Sequence, residues 1–265
     1  MHLHGNYETN IAEAYNLINS GKVESAITLF EKLTTNYPST AKGFHLKAFA
    51  YVKSNNFEKA HESIVKANKL MPNSLDISLD YSNILNSLGR KEEAFNILKV
   101  FDKDSTKDNR VFYNLGCICM DKSKHTDAVS YFKKTLALDP ENKNAAFNIG
   151  ISLFNDNKYK LSIDVFTAYQ KEFGLTFEAE RFISLAHFSL NNLEKAEKSL
   201  EILCSMKPED GDLWYDRGII LNALQRNFDA IHCYQKSLEI FPDKNDAFWN
   251  MALLYQKEGK LAELI

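Results

Sequence analysis

The sequence predicts an all-α protein, a solenoid of seven 34-residue helix-turn-helix repeats and a partial eighth. A proline column and two columns of small residues, all on one period, predict it. The five prolines, Pro38, Pro72, Pro140, Pro208 and Pro242, are separated by multiples of 34 residues. Thr106 and Gly174 occupy the two vacant slots. Ala26, Ala60, Ala94, Ala128, Ala196 and Ala230 keep the same period, with Ser162 filling the gap. The second small column is Ala14, Ala48, Ser82, Gly116, Gly150, Ser184, Gly218 and Ala252. Self-similarity at a fixed period of this length marks a repeat architecture. Repeats start at residues 7, 41, 75, 109, 143, 177 and 211, with the partial one at 245, so the repeat domain spans 7–265 behind a tail at 1–6.

Each repeat reads as two helices. Positions 1–14 carry apolar residues at helical spacing, as in Phe112, Leu115, Gly116 and Cys119. Position 15 is Gly21, Asn55, Gly89, Ser123, Asn157, Asn191, Gln225 or Gly259. Gly and Asn dominate it, and they best tolerate the left-handed backbone of a helix C-cap. A second helix follows, for example Ala128 to Leu138. Proline at position 32 lacks a backbone N–H and suits the junction to the next repeat. Small residues at positions 8 and 20 let the two helices close on each other. Large residues at position 24 fill the space beside them: Phe30, Ile64, Leu98, Phe132, Phe166, Leu200 and Tyr234. The third and fifth repeats depart most from the pattern, and local fraying is expected there.

The column set resembles the tetratricopeptide repeat, with its pattern W-x2-L-G-x2-Y…A-x3-F…P. Phe112, Leu115, Gly116, Ala128, Phe132 and Pro140 match it, as do Trp214, Gly218, Ala230, Tyr234 and Pro242. The resemblance covers residues 7–265 and implies a right-handed superhelix whose first helices line a concave groove. The pentatricopeptide RNA readers, with a 35-residue period and a basic groove, fit less well than a strict 34-residue phase and a net charge of −3.

The resemblance also implies that positions 2, 5, 6, 9, 12 and 13 face the groove. From repeat four onward these columns supply the candidate peptide-binding residues Tyr113, Asn114, Phe147, Asn148, Ile151, Arg181, Tyr215, Asp216, Trp249 and Asn250. Asn114 and Asn148 stand one repeat apart, and a side-chain amide offers a donor and an acceptor to a peptide backbone. Similar asparagines line the repeats of O-linked N-acetylglucosamine transferase, but here Phe182 and Asp216 interrupt the ladder. The aromatic residues are either interface anchors or packing between neighbouring repeats. The chaperone-binding adaptors of the family use a carboxylate clamp that needs Lys at position 5 and Arg at position 6; neither occurs here. Lys42, His45 and Lys53 fall toward one end and Asp212, Asp216 and Asp246 toward the other, which suits a ligand with a basic residue near the last repeats.

The expected function is therefore a protein-interaction scaffold or adaptor that binds an extended or helical segment of another protein. A substrate-targeting region of a larger enzyme such as a glycosyltransferase, or a self-assembling subunit, is the alternative. No enzyme activity, cofactor, metal, nucleic acid or small-molecule substrate is expected. The net charge carries no basic footprint. Phosphate-loop and nucleophile-elbow motifs are missing. The run from Asp102 to Asp108 begins like a calcium loop, but Lys107 stands where Gly is needed and Tyr113 where Glu is needed. His2 and His4 form at best a weak chelate, and His187 reads as a core histidine. Cys117, Cys119, Cys204 and Cys233 read as free thiols of a reducing compartment. Neither a signal peptide nor a membrane span is apparent, so the cytoplasm is the expected location. The last repeat supplies one helix, leaving Phe248, Met251 and Tyr255 without a partner helix. Pairing with a second copy through this end, or continuation in a longer protein, is the expectation.

Overall fold

A computed structural model describes residues 2–103 and 105–260. Fifteen α-helices and no strand are found among the described residues. They fall into two compact units, residues 1–140 and 141–265. The first holds α1 (His2–Asn19), α2 (Val23–Asn36), α3 (Ala41–Lys53), α4 (Phe57–Leu70), α5 (Leu75–Ser87), α6 (Lys91–Lys99), α7 (Asn109–Asp121) and α8 (His125–Leu138). The second holds α9 (Lys143–Asn155), α10 (Tyr159–Phe173), α11 (Phe177–Ser189), α12 (Leu193–Met206), α13 (Gly211–Ala223), α14 (Asn227–Ile240) and α15 (Asn245–Lys257). Consecutive helices pack as pairs, which gives the helix-pair solenoid that the columns predict.

The turn inside each pair is set by backbone chemistry. All eight residues at position 15 adopt a positive φ, from 55° at Ser123 to 78° at Gly21. The next residue's N–H then reaches back to the carbonyl at position 11, as in Lys158 to Leu153 at 2.9 Å and Arg226 to Leu221 at 2.9 Å. This six-residue hydrogen-bonded loop satisfies a carbonyl that the helix end would leave orphaned. The position-11 residues Leu85, Cys119 and Leu221 are buried, so the turn is anchored in the core.

The small columns close the pair. A methyl placed on Gly116 would lie 2.6 Å from the Phe132 ring, and on Gly150 or Gly218 equally close to Phe166 or Tyr234. Position 8 thus rests on position 24 across the pair. Ala48, Ser82 and Ser184 stand instead where position 24 is Ile64, Leu98 or Leu200, so contact volume is roughly conserved. Ala14 opposite Phe30 is the exception. Buried serines in these columns are satisfied. Ser82 donates to the Ala94 carbonyl at 3.0 Å, and Ser162 donates to the Gly150 carbonyl at 2.9 Å.

The two irregular repeats replace proline in different ways. In the fifth, α10 runs on to Phe173 and stops at Gly174, whose φ is 91°. In the third, α6 ends early, and Asp102 holds the chain that follows it. Its carboxylate side chain is only 8% exposed and meets Lys99 at 2.6 Å and Lys134 at 2.7 Å. Tyr131 donates to it at 3.1 Å. Burial alone would raise this carboxyl; the hydrogen bonds from Lys134 and Lys99 outweigh it and hold the group below the ordinary carboxylate value. Thr106 donates to the Phe101 carbonyl, tying off the turn where proline is lacking.

The last helix corrects one expectation. Tyr255 is buried, 6% exposed, and its hydroxyl accepts from Gln235 on α14 at 3.1 Å. It packs against the preceding helix and needs no following one. Met251 is half-buried, and Phe248 keeps the solvent exposure predicted for it. Residues 261–265 and the side chains of His2 and His4 lie outside the described residues.

Candidate functional site

The first helices of the two units present different faces. In the first unit, polar side chains bridge neighbouring first helices. Lys42 on α3 meets Glu8 on α1 at 2.8 Å, and Arg110 on α7 meets Asp76 on α5 at 2.9 Å. His45 on α3 lies 2.6 Å from Asp80 on α5. Asn114 donates to Asn83 at 3.3 Å, and Asn86 donates to Asp121 at 3.1 Å. At the end expected to be basic, Lys42 is thus paired with an acid and His45 is hydrogen-bonded to one. Tyr113 packs its ring on Phe132, with centroids 5.7 Å apart. Tyr113 and Asn114 thus sit in the first unit, each engaged there.

In the second unit the candidate residues divide. Phe147 is a packing residue: its ring lies 5.2 Å from Phe166, 5.3 Å from Tyr169 and 6.2 Å from Phe182. Ile151 packs against the same core, and Asn148 is half-buried beside them. Tyr215 packs tilted against Tyr234, accepts a hydrogen bond from Asn250 at 3.3 Å, and carries Lys244 over its ring. Lys244 also pairs with Asp212. Arg181 is exposed, and Trp249 is 63% exposed.

Between α11 and α13 lies an open cleft of about 290 Å³, lined by Ser184, Leu185, Phe188, Leu200, Asp216, Ile219 and Ile220. Leu200 and Ile220 form its buried floor. Leu185, Ile219 and Phe188, the last 52% exposed, form its rim. Asp216 stands at the mouth. The apolar surroundings push its carboxyl above the ordinary value, and Asp212 adds to the effect while Lys244 and Arg181 oppose it. Leu185 also borders a second hollow with Phe177, Glu178, Arg181, Phe182 and Lys207. Phe188 escaped the sequence reading because position 12 was not used to choose candidates, although its column already holds Phe154 and Phe188.

The remaining reactive side chains are buried or half-buried. Burial pushes the Cys204 thiol up to about 12 and those of Cys117, Cys119 and Cys233 up to about 11. Such thiols stay protonated near neutral pH and are poor nucleophiles. His187 is half-buried with Nδ1 unbonded, and burial lowers its pKa. Glu197, almost wholly buried, holds Arg217 at 2.8 Å, a contact between α12 and α13 that the columns do not reveal. Among the described residues no cluster suits a metal ion, and no helix is long and apolar enough to cross a membrane.

Comparison with known proteins agrees with this geometry. Tetratricopeptide-repeat family models match residues 10–40, 113–174 and 183–245. The Protein O-mannosyl-transferase TMTC1 of Homo sapiens is 26% identical over 81% of this chain and 21% of its own length. The chain spans 19–35% of the length of the curated relatives it matches. The crystal structure of the C-terminal part of a TPR repeat-containing protein from Cytophaga hutchinsonii superposes with a TM-score of 0.78 at 14% identity, covering 91% of this chain and 98% of that one. YrrB, a TPR protein with an unusual peptide-binding site, superposes with a TM-score of 0.57 at 20% identity, covering 71% of this chain and 96% of that one. With helix pairs, turns and small columns all in register, the chain belongs to the tetratricopeptide-repeat family, whose repeats are protein-interaction scaffolds.

Proposed function

We propose that this chain is a non-catalytic adaptor that holds a segment of a partner protein on the first-helix face of its second unit, with the α11–α13 cleft as the principal contact. The open cleft carries the reading. Leu185, Phe188 and Ile219 expose apolar surface beside a buried floor, and concave apolar sites with few polar groups are where ligands bind. Asp216 lines the cleft, Arg181 lines the adjoining hollow, and Trp249 and Asn250 extend the same face on α15. The peptide site of YrrB supports such a use of the fold. Four free cysteines suit a reducing compartment, and we place the protein in the cytoplasm.

The test is a photo-crosslinking residue at Phe188 of the intact chain, irradiated in native lysate. One dominant partner is expected. A peptide from it should compete, and Ile219→Glu should abolish capture without moving the melting temperature. Capture of the chain's own copies alone would instead make this face an assembly surface. The likeness to TMTC1 favours a second reading, in which the scaffold is the targeting region of a larger transferase. In that case the captured partner would be modified by the longer protein.

A further inference from the structure

The adaptor reading above leaves the chemistry of the bound segment open, and the cleft itself restricts it. Three acids lie at this end of α13, and two are already used. Asp210 caps the helix, accepting from the N–H groups of Asp212 and Leu213. Asp212 pairs with Lys244. Asp216, one turn further on, makes no hydrogen bond or ion pair with a described residue, and it faces Leu185, Phe188 and Ile219. The nearby cations do not satisfy it by contact. Lys244 is bound to Asp212 and lies over Tyr215. Arg181 lines the neighbouring hollow, where Glu178 stands beside it. A carboxylate against an apolar wall lacks part of its hydration, and an incoming cation that hydrogen-bonds to it restores what was lost.

Asp216 and Ile219 are three residues apart on one helix, so their side chains are neighbours at about 5–6 Å. A ligand that uses both must place a cation and an apolar group equally close together. We infer that the bound segment is a peptide carrying a Lys or Arg within four residues of a large apolar side chain, the apolar group entering the Leu185–Phe188–Ile219 cleft and the cation pairing with Asp216. Within four residues, both an extended strand and a helix present two side chains on one face. The assignment rests on the adaptor reading and names the class of partner for it.

Selection from a random dodecapeptide library displayed on phage, using the intact chain, tests it. Wild-type protein should enrich Lys or Arg near an aliphatic or aromatic residue. Asp216→Asn should weaken the selected peptides by about fivefold, as expected for a part-exposed charge pair. Asp216→Lys should turn the preference toward Asp and Glu. Asp216 is part-exposed, and circular dichroism checks that both variants fold. Two failures are distinguishable. Peptides that lose binding on Ile219→Glu, yet show no change of charge preference with Asp216→Lys, would overturn the cation pairing and leave the adaptor face standing. Peptides indifferent to Ile219→Glu, or no enrichment at all, would overturn both.

Discussion

The two units share one repeat and differ in how their first helices meet. In the first unit the seams are bridged by polar pairs, such as Lys42 with Glu8, His45 with Asp80 and Asn114 with Asn83. In the second, the seam between α9 and α11 is filled by the stacked rings of Phe166 and Phe182 with Phe147 against them, and the seam between α11 and α13 is left as an apolar cleft. Tyr15 is the one large apolar side chain that the first unit's face exposes among the described groove positions, against Leu185, Phe188, Ile219, Trp249 and Leu253 in the second. A scaffold repeat can thus spend its variable positions on joining neighbours or on meeting a partner. A residue's column does not say which.

Phe147→Ala breaks the comparison at its strongest point. If the ring is packing, its loss leaves a cavity between Phe166, Tyr169 and Phe182, and the second unit should lose about 2–4 kcal/mol. Chemical denaturation followed by hydrogen exchange should locate the loss in α9–α12. An unchanged midpoint with weakened peptide binding would return Phe147 to the role of an anchor.

The sequence disclosed the fold because its determinants are local or repeated. Gly or Asn at position 15, a small residue at position 8 and a large one at position 24 each recur, and each has one physical job. The C-cap geometry even extends to Ser123 and Gln225, which no propensity would have chosen. The face was less legible. Its residues were assigned by column, but whether Phe147 points at a ligand or at Phe182 depends on residues in the next repeat. The charges were legible only in part: Lys42, His45 and Asp212 are each paired with a residue 32 to 35 positions away, whereas Asp216 is not paired with any described residue. Such pairings depend on how adjacent repeats stack, which no single repeat encodes.

Asp102 sharpens the contrast from the first unit's side. Its buried carboxylate joins α6 to α8 through Lys99, Tyr131 and Lys134. Asp102→Ala should cost about 1–3 kcal/mol, because the partly exposed lysines can recover water. The folded pKa lies below the unfolded one, so this contribution is complete above about pH 4 and is lost as pH falls through the folded value. Melting curves of wild type and Asp102→Asn should therefore differ at neutral pH and converge in acid. Curves that stay parallel would mean that the ion cluster does not hold the short α6 in place. In the second unit a buried acid, Glu197, joins α12 to α13 through Arg217.

The smallest expected effect concerns the feature that both units share. Ser123 in the first and Gln225 in the second hold φ near 55° and 59° at exposed turns, where their paired repeats use Gly or Asn. A side chain in the left-handed region is strained by about 1–2 kcal/mol, and glycine removes that strain while gaining freedom in the unfolded chain. Ser123→Gly and Gln225→Gly should each stabilise by about 0.5–1 kcal/mol, with the urea dependence unchanged. The gain should be nearly equal in the two units, because the six-residue turn is set by its own backbone and not by the seam beside it. A gain confined to one unit would show that the turn is coupled to the face, so that occupation of the α11–α13 cleft could be felt at the turn that follows α13.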